Sequence, residues 1–440
     1  MKGTLLMKKQ KTFILDTSVL LYDCHSIHTL DGHKVIIPIV VLDELDRFKD
    51  RQELIGENAR YINRFLDDLR AKGNINEGVD IDNGQTIRVE LNCYDDKIPD
   101  GLETDYGDNK ILGVAKYIQE NEDEDVIVIT KDINFRVKCD ALGIAAEDYY
   151  RDRIVKETSE IFTGQVLIDE FDPSLIDEFY ADGWICGDEF ENEFLPNQFI
   201  VLKNKGTKQS CICRYDHTQN RIVKVEDFLN RAIDINSRNK EQKFALNLLT
   251  RDDVPLVTLS GLAGSGKTFL TLMAGLSGLN DKKYNRIVMT RSVQPVGKDI
   301  GFLPGDIDEK MDPWIAPIVD NFRQAFNDLS YFEMMRKKGQ FEIAPLSYIR
   351  GRTFANTFFI VDEAQNLTVH ELKTVVTRIG EGSKIVLLGD LEQIDTPYID
   401  TLSNGLTVFI EKMKSSHLSG HITLQKGERS ELATAISKMI

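Results

Sequence analysis

Between residues 12 and 150, short apolar runs alternate with stretches whose apolar positions return every three or four residues. Runs of the first kind read as buried strands and stretches of the second kind as helices with one apolar face. Strands are predicted over 12–15, 34–40 and 125–130, and helices over 56–72 and 109–120, the latter with Ile111, Leu112, Ala115 and Ile118 along one face. That order predicts an α/β unit with a parallel sheet. From 163 to about 227 the pattern changes to short strands over 164–169, 184–187, 198–204, 210–215 and 221–225, separated by turn residues. A meander or small β-barrel is expected there, as a module of its own. Farther on, apolar strands ending at Ser260, Arg291, Asp362 and Asp390 alternate with helical stretches over 268–276, 317–329 and 370–378, which predicts a second, larger α/β unit. The expected division is 1–150, 151–234 and 235–440.

Composition narrows the class without changing this picture. Hydrophobic residues make up 42% and charged residues 28% of the 440, which fits packed domains and excludes fibrous or low-complexity chains. Lys plus Arg is 54 against 71 Asp plus Glu, so the net charge of −17 excludes polyanion binding by overall charge. Contact with nucleic acid must be local; the basic stretch 335–341, with Arg336, Lys337 and Lys338, and the lysines at 203, 205 and 208 offer it. The six cysteines, at 24, 93, 139, 186, 211 and 213, form no CxxC pair and read as packed, reduced thiols. The apolar stretch 35–42 spans eight residues and contains Pro38, whereas a membrane helix needs ~20. With no uninterrupted apolar leader near the start, a cytoplasmic location away from membranes is expected.

Chemistry enters at residue 257. The apolar strand 257–260 runs into Gly261-Leu262-Ala263-Gly264-Ser265-Gly266-Lys267-Thr268 and then an apolar helix, which is the phosphate-binding pattern GxxxxGK[ST] between a strand and a helix. Glycines let backbone N–H groups turn inward around a phosphate, Lys267 reaches the β- and γ-phosphates, and the Thr268 hydroxyl serves Mg²⁺. About a hundred residues later, four apolar residues deliver Asp362 and Glu363 at a strand end, where one acid can hold the Mg²⁺ shell and the next can orient water. A further apolar strand ends in Gly389-Asp390, with Gln393 placed to sense the γ-phosphate. Arg429 can neutralise charge on the transferring phosphate, in its own chain or a neighbour's.

A second constellation lies in the first unit. Asp16 ends the first strand, Glu44 is expected at the start of a helix, Asp108 opens another, and Asp132 follows the strand 125–130. Carboxylates brought to one sheet edge by separate elements repel each other unless a hard cation, Mg²⁺ or Mn²⁺, sits among them. Such a group can activate water against a phosphodiester. Asp105 competes with Asp108 for the third place; Asp108 is preferred because Ile111 and Leu112 follow it as the next helix's apolar face.

The runs at 350–354 and 361–366, with those at 389–395 and 428–430, resemble the PhoH family of ATPases, as does the segment 293–305; the resemblance covers about 235–440. It implies a RecA-like P-loop NTPase domain, an adenine-reading role for Gln242, and a place near nucleic acid or phosphate for Arg350 and Arg352. Residues 12–150 resemble PIN-domain ribonucleases, which implies that Asp16, Glu44, Asp108 and Asp132 form the acidic tetrad. Thr17 or Ser18 and Thr130 match its supporting hydroxyls, and Asn134 matches a polar neighbour. A PIN-like domain ahead of a PhoH-like one is a known family architecture, and it implies a homo-oligomer, a hexameric ring. The function expected is ATP-dependent processing of single-stranded RNA, with a helicase-like motor coupled to a metal-dependent ribonuclease. The alternatives are an ATP-gated RNA-binding regulator, or a general ATPase with a non-cleaving PIN domain.

Overall fold

The structure is a computed structural model that describes residues 10–51, 54–122, 125–149, 155, 157–169, 171–172, 174–203, 210–226, 237–291, 316, 318–323, 325–326, 328–396 and 399–426. The chain forms two compact units, Met1–Arg151 and Asp152–Ile440.

The first unit is built on a six-stranded sheet of β1 (Thr12–Leu15), β2 (Lys34–Pro38), β3 (Val79–Asp80), β4 (Thr86–Glu90), β5 (Val126–Ile129) and β6 (Ala145–Glu147), in the order β3-β4-β2-β1-β5-β6. All pairings are parallel except β3 with β4. The central strands TFIL and VIVI are buried along their whole length, as a parallel sheet covered on both faces requires. Helices α1 (Thr17–Tyr22), α2 (Ile39–Phe48), α3 (Leu54–Arg70), α4 (Gly107–Asn121) and α5 (Ile133–Ala141) connect the strands. One expected boundary moves. The run read as a strand to residue 40 leaves the sheet at Pro38, which caps α2 at φ −60 and ψ 145. Val41 and Leu45, four apart, then bury a helix face instead of continuing a strand. Glu44 consequently sits inside α2, not at its start.

The second unit contains two sheets. The smaller joins β7 (Gln165–Ile168), β8 (Trp184–Cys186), β9 (Phe199–Lys203), β10 (Ser210–Asp216) and β11 (Arg221–Lys224) in the order β7-β9-β10-β11-β8. Strands β9 to β11 are the expected meander, but β7 and β8 are opposite edges, so this is an open sheet and not a barrel. Helix α6 (Ser174–Asp182) covers one face through Leu175, Ile176 and Phe179. The other face is continuous with the core of the larger sheet: Phe199 of β9 stacks on Phe244 with ring centroids 4.2 Å apart. Asn197 adds a polar tie, its Nδ2 donating to the carbonyls of His417 and Ser419 at 3.0 and 2.9 Å.

The larger sheet is parallel throughout: β12 (Leu256–Gly261), β13 (Arg286–Arg291), β14 (Phe341–Ile343), β15 (Thr357–Asp362), β16 (Lys384–Gly389) and β17 (Ser419–Leu424), in the order β14-β13-β15-β16-β12-β17. Helices α7 (Lys240–Thr250), α8 (Lys267–Asn280), α9 (Ser330–Lys337), α10 (Val369–Val376) and α11 (Gly405–Met413) belong to it. Buried apolar residues fill both of its faces, which leaves the C-terminal strand ends as the place where polar groups gather. Among the described residues, no helix is long and apolar enough to cross a membrane.

Candidate functional site

Strand β12 delivers Gly261 to the phosphate loop. Gly261, Gly264 and Gly266 have φ of 142, 79 and 93, a region other residues enter only with strain. At Gly261 a Cβ would also run into the Leu424 carbonyl of β17. Lys267 opens α8 and folds back on the loop, donating to the carbonyls of Gly261 at 2.5 Å and Leu262 at 3.0 Å. Thr268 follows in the first turn of α8. Gln242 on α7 is buried against the same loop: its Nε2 donates to the Ser265 carbonyl at 3.1 Å, and its Oε1 accepts the Arg238 N–H at 2.8 Å.

Asp362 ends β15, and burial, followed by the neighbouring Glu363 carboxylate, pushes its pKa up to about 6 against the pull of Arg291 and Lys267. Glu363 turns in the left-handed region at φ 53, a conformation that costs energy for a non-glycine residue. Both of its oxygens are engaged: Oε1 accepts Arg291 Nη2 at 2.9 Å, and Oε2 accepts Gln365 Nε2 at 2.7 Å. Gln365 reaches on to the end of β16, donating to the Gln393 carbonyl at 2.8 Å and accepting the Asp390 N–H at 3.1 Å. Asp390 in turn accepts the Ala263 N–H of the phosphate loop at 2.8 Å. The ends of β12, β15 and β16 are thereby one hydrogen-bonded assembly. Sequence reasoning named Asp390 and Arg291 alike as strand ends and Gln365 only within the run 361–366, and gave neither Arg291 nor Gln365 a part in the site; they lie at the tip of the neighbouring strand and two residues after Glu363.

The Gln393 side chain is exposed, while its carbonyl takes part in the assembly through Gln365. Arg352 gives both terminal nitrogens to Glu342, at 2.6 and 2.9 Å, and lies over the Phe354 ring. That pair holds the Glu342 carboxyl below its ordinary range. Arg350 is exposed, as are Arg336, Lys337 and Lys338 at the end of α9. Arg429, the segment 293–305, Lys205 and Lys208 lie outside the described residues.

In the first unit, Asp16 follows β1 and is buried. Its Oδ2 accepts the hydroxyls of Ser18 and Thr130, the latter at 2.6 Å. Burial outweighs those bonds and, with the fields of Asp108 and Glu44, pushes its pKa up to about 6. Glu44 Oε2 accepts the Thr17 hydroxyl at 2.5 Å. Gly107, at the start of α4, lets the helix approach so closely that a Cβ there would meet the Glu44 carboxylate. Asp108 also has its pKa raised, chiefly by burial, while Lys138 pulls it down from 3.4 Å. Asp105 is fully exposed beside Lys110. Asp132 belongs to the N-cap of α5 and not to the strand, its Oδ1 accepting the N–H groups of Asn134 and Phe135 at 2.7 and 3.3 Å. Asn134 itself is exposed.

Asp16, Glu44 and Asp108 share one electrostatic neighbourhood, and Asp132 acts on Asp108. Among the described residues no three His, Cys, Asp or Glu side chains stand close enough to form a finished metal cage. The donor chemistry nonetheless fits a hard divalent cation: all oxygen and mutually repelling, around one buried carboxylate that two hydroxyls orient.

The larger sheet, its glycine loop and the acids of β15 define a RecA-like phosphate-loop protein, preceded by an α/β unit with an acidic strand edge. Comparison with known proteins agrees. A family model described as "PhoH-like protein" matches residues 234–440, and one described as "PIN domain" matches 13–150. The "Protein PhoH2" of Bacillus subtilis is 41% identical over 442 residues, covering 98% of this chain and 100% of that protein. Proteins of the same description from Thermobispora bispora and Mycolicibacterium smegmatis are 36% and 35% identical, each over 98% of this chain and 96% and 97% of their own. The chain belongs to the PhoH family, with a PIN domain at its N-terminal end.

Proposed function

We propose that the chain is an ATP-dependent RNA-processing enzyme: the larger sheet hydrolyses ATP and drives single-stranded RNA, and the first unit cuts that RNA with a divalent metal. One observation carries the reading. Each of the two sheets gathers carboxylates at the C-terminal ends of its parallel strands, Asp16 with Glu44 and Asp108 in one and Asp362 with Glu363 in the other, the second group in the field of the phosphate loop's Lys267.

For ATP, the loop 261–266 would cradle the β-phosphate, and Lys267 would leave its two carbonyls for the β- and γ-phosphates. Thr268 and Asp362 would hold Mg²⁺, which supplies neutralisation of the triphosphate charge. Glu363 would orient water: the water oxygen bonds to the γ-phosphorus, the β–γ bridging P–O bond breaks with its electron pair leaving on ADP, and the proton passes to the carboxylate. Gln242 and Gln393 would attend the adenine and the γ-phosphate, and Arg429 the transferring phosphate, from its own chain or a neighbour in a ring. In the first unit Asp16, Glu44, Asp108 and Asp132 would hold Mg²⁺ or Mn²⁺, which supplies an acidified water and charge stabilisation at phosphorus. Thr17, Ser18 and Thr130 orient the carboxylates there.

A second reading, ATP-gated RNA binding without cleavage, is favoured by one observation: Lys138 and the α5 N-cap already engage Asp108 and Asp132. End-labelled single-stranded RNA incubated with Mg²⁺ or Mn²⁺, with and without ATP, separates the two. Cleavage by the parent that is lost in Asp16→Asn supports the nuclease. Intact RNA in every arm, with ATP still hydrolysed and RNA affinity changing with ATP, leaves the regulator.

A further inference from the structure

We propose that Arg291 is a positioning residue that holds Glu363 back from the water it orients, and that a phosphodiester backbone arriving at the tip of β13 takes the guanidinium and releases it. The proposal rests on the water-orienting reading of Glu363. A carboxylate that accepts a proton from water must turn a free lone pair toward it, and here Arg291 on Oε1 at 2.9 Å and Gln365 on Oε2 at 2.7 Å fix how the Glu363 carboxylate is turned.

Strand order gives the two contacts opposite directions. The phosphate loop follows β12, which lies two strands from β15 on one side, with β16 between them. Arg291 ends β13, the neighbour of β15 on the other side, where it stands in register with Asp362. Gln365 is anchored to the β16 end through Gln393 and Asp390, so it keeps Glu363 on the nucleotide's side. Arg291 draws the same carboxylate away from it.

Of the two contacts, the Arg291 one is an ion pair that a competing anion can break. Its side chains are 32% and 30% exposed, open enough for a polyanion to reach. A guanidinium's fork can meet two oxygens of a phosphodiester at once, whereas here it gives one hydrogen bond to Glu363 beside its field on Asp362. A small pocket lined by Met289, Thr290, Ile343 and Ala344, with Arg291 and Asp362, lies on the β13 side of the pair. Bound RNA would then raise the rate of hydrolysis by removing a restraint, without touching the nucleotide.

The experiment is steady-state ATP turnover by the full chain, with and without single-stranded polyuridine, for the parent, Arg291→Ala, Arg291→Lys and Glu363→Gln. In Arg291→Ala, kcat without RNA is expected to rise about fivefold, the equivalent of about 1 kcal/mol for a partly exposed pair. KM for ATP stays unchanged, and polyuridine adds nothing further. Arg291→Lys falls between the two, because an ammonium pairs with the carboxylate without the guanidinium's fork. A fall in kcat for Arg291→Ala would mean that the arginine supports Glu363 in its working position. A raised KM with stimulation intact would make it a ligand of the nucleotide's own phosphate. Unchanged kinetics, or a parent that polyuridine does not stimulate, would remove the release step. Each of these outcomes overturns the proposal. Parental turnover by Glu363→Gln would instead sink the reading of Glu363, which keeps the two failures apart.

Discussion

His421 on β17 is 3% exposed, with Nδ1 2.8 Å from the Thr258 hydroxyl and Nε2 3.0 Å from that of Thr423. Burial pushes its pKa from 6.5 down to about 3. The unfolded imidazole therefore takes a proton near pH 6.5, the folded one only near 3, so stability is whole above 6.5 and is lost as the pH falls through that window. Urea midpoints of the second unit at pH 7 and 4.5 should converge in His421→Gln and diverge in the parent; equal divergence would assign the acid sensitivity to other groups. Gln365 shows how a single residue ties the site together. Gln365→Ala should lower ATP turnover by about tenfold or more at unchanged ATP affinity, since a hydrogen bond to a charged group contributes about 1.5–3 kcal/mol. Neither residue announces itself in the sequence: a His in an apolar strand and a Gln in a short turn gain meaning only from what they touch.

Elements were legible where their pattern was pure. The runs TFIL and VIVI lie in strands buried at every position, and the helix read over 109–120 lies within α4, because four consecutive apolar residues or a repeating apolar face have few other uses. Strand β4, with the sequence TIRVE, and β17, SGHITL, escaped prediction because polar residues interrupt their apolar runs; on β17, His421 is matched inside the fold by Thr258. Helix α5 escaped because Ile133 and Val137 are exposed, 67% and 62%, which erases the contrast between its faces. Element starts also carry function. At the start of α4, Gly107→Ala should push the Glu44 carboxylate aside and lower metal-dependent cutting of RNA by about tenfold or more while ATP turnover stays at the parental rate. Cutting at the parental rate would show that Glu44 needs no such clearance.

At the scale of the molecule, the small sheet and the large one share a core through Phe199, so Phe199→Ala should lower the unfolding transition of the second unit by about 3–5 kcal/mol, not melt a separate module. In thermal scans, a non-hydrolysable ATP analogue should raise that transition and Mg²⁺ or Mn²⁺ alone should raise the first unit's, the latter shift disappearing in Asp16→Asn. Lys267→Ala should abolish ATP hydrolysis and leave metal-dependent cutting in place; hydrolysis persisting in that variant would exclude the phosphate loop as the site. The sequence by itself determined the α/β class, the phosphate loop in its strand–loop–helix setting and the family, because glycine spacing, buried strands and acids at strand ends are local properties that a chain displays in order. Only the tertiary structure decided that Glu44 sits within a helix and that Arg352 belongs to Glu342. It alone joined the ends of β12, β15 and β16 through Asp390 and Gln365 and set Arg291 against Glu363. These are contacts between residues about 10 to 130 positions apart, and their existence depends on strand order, which no local pattern encodes.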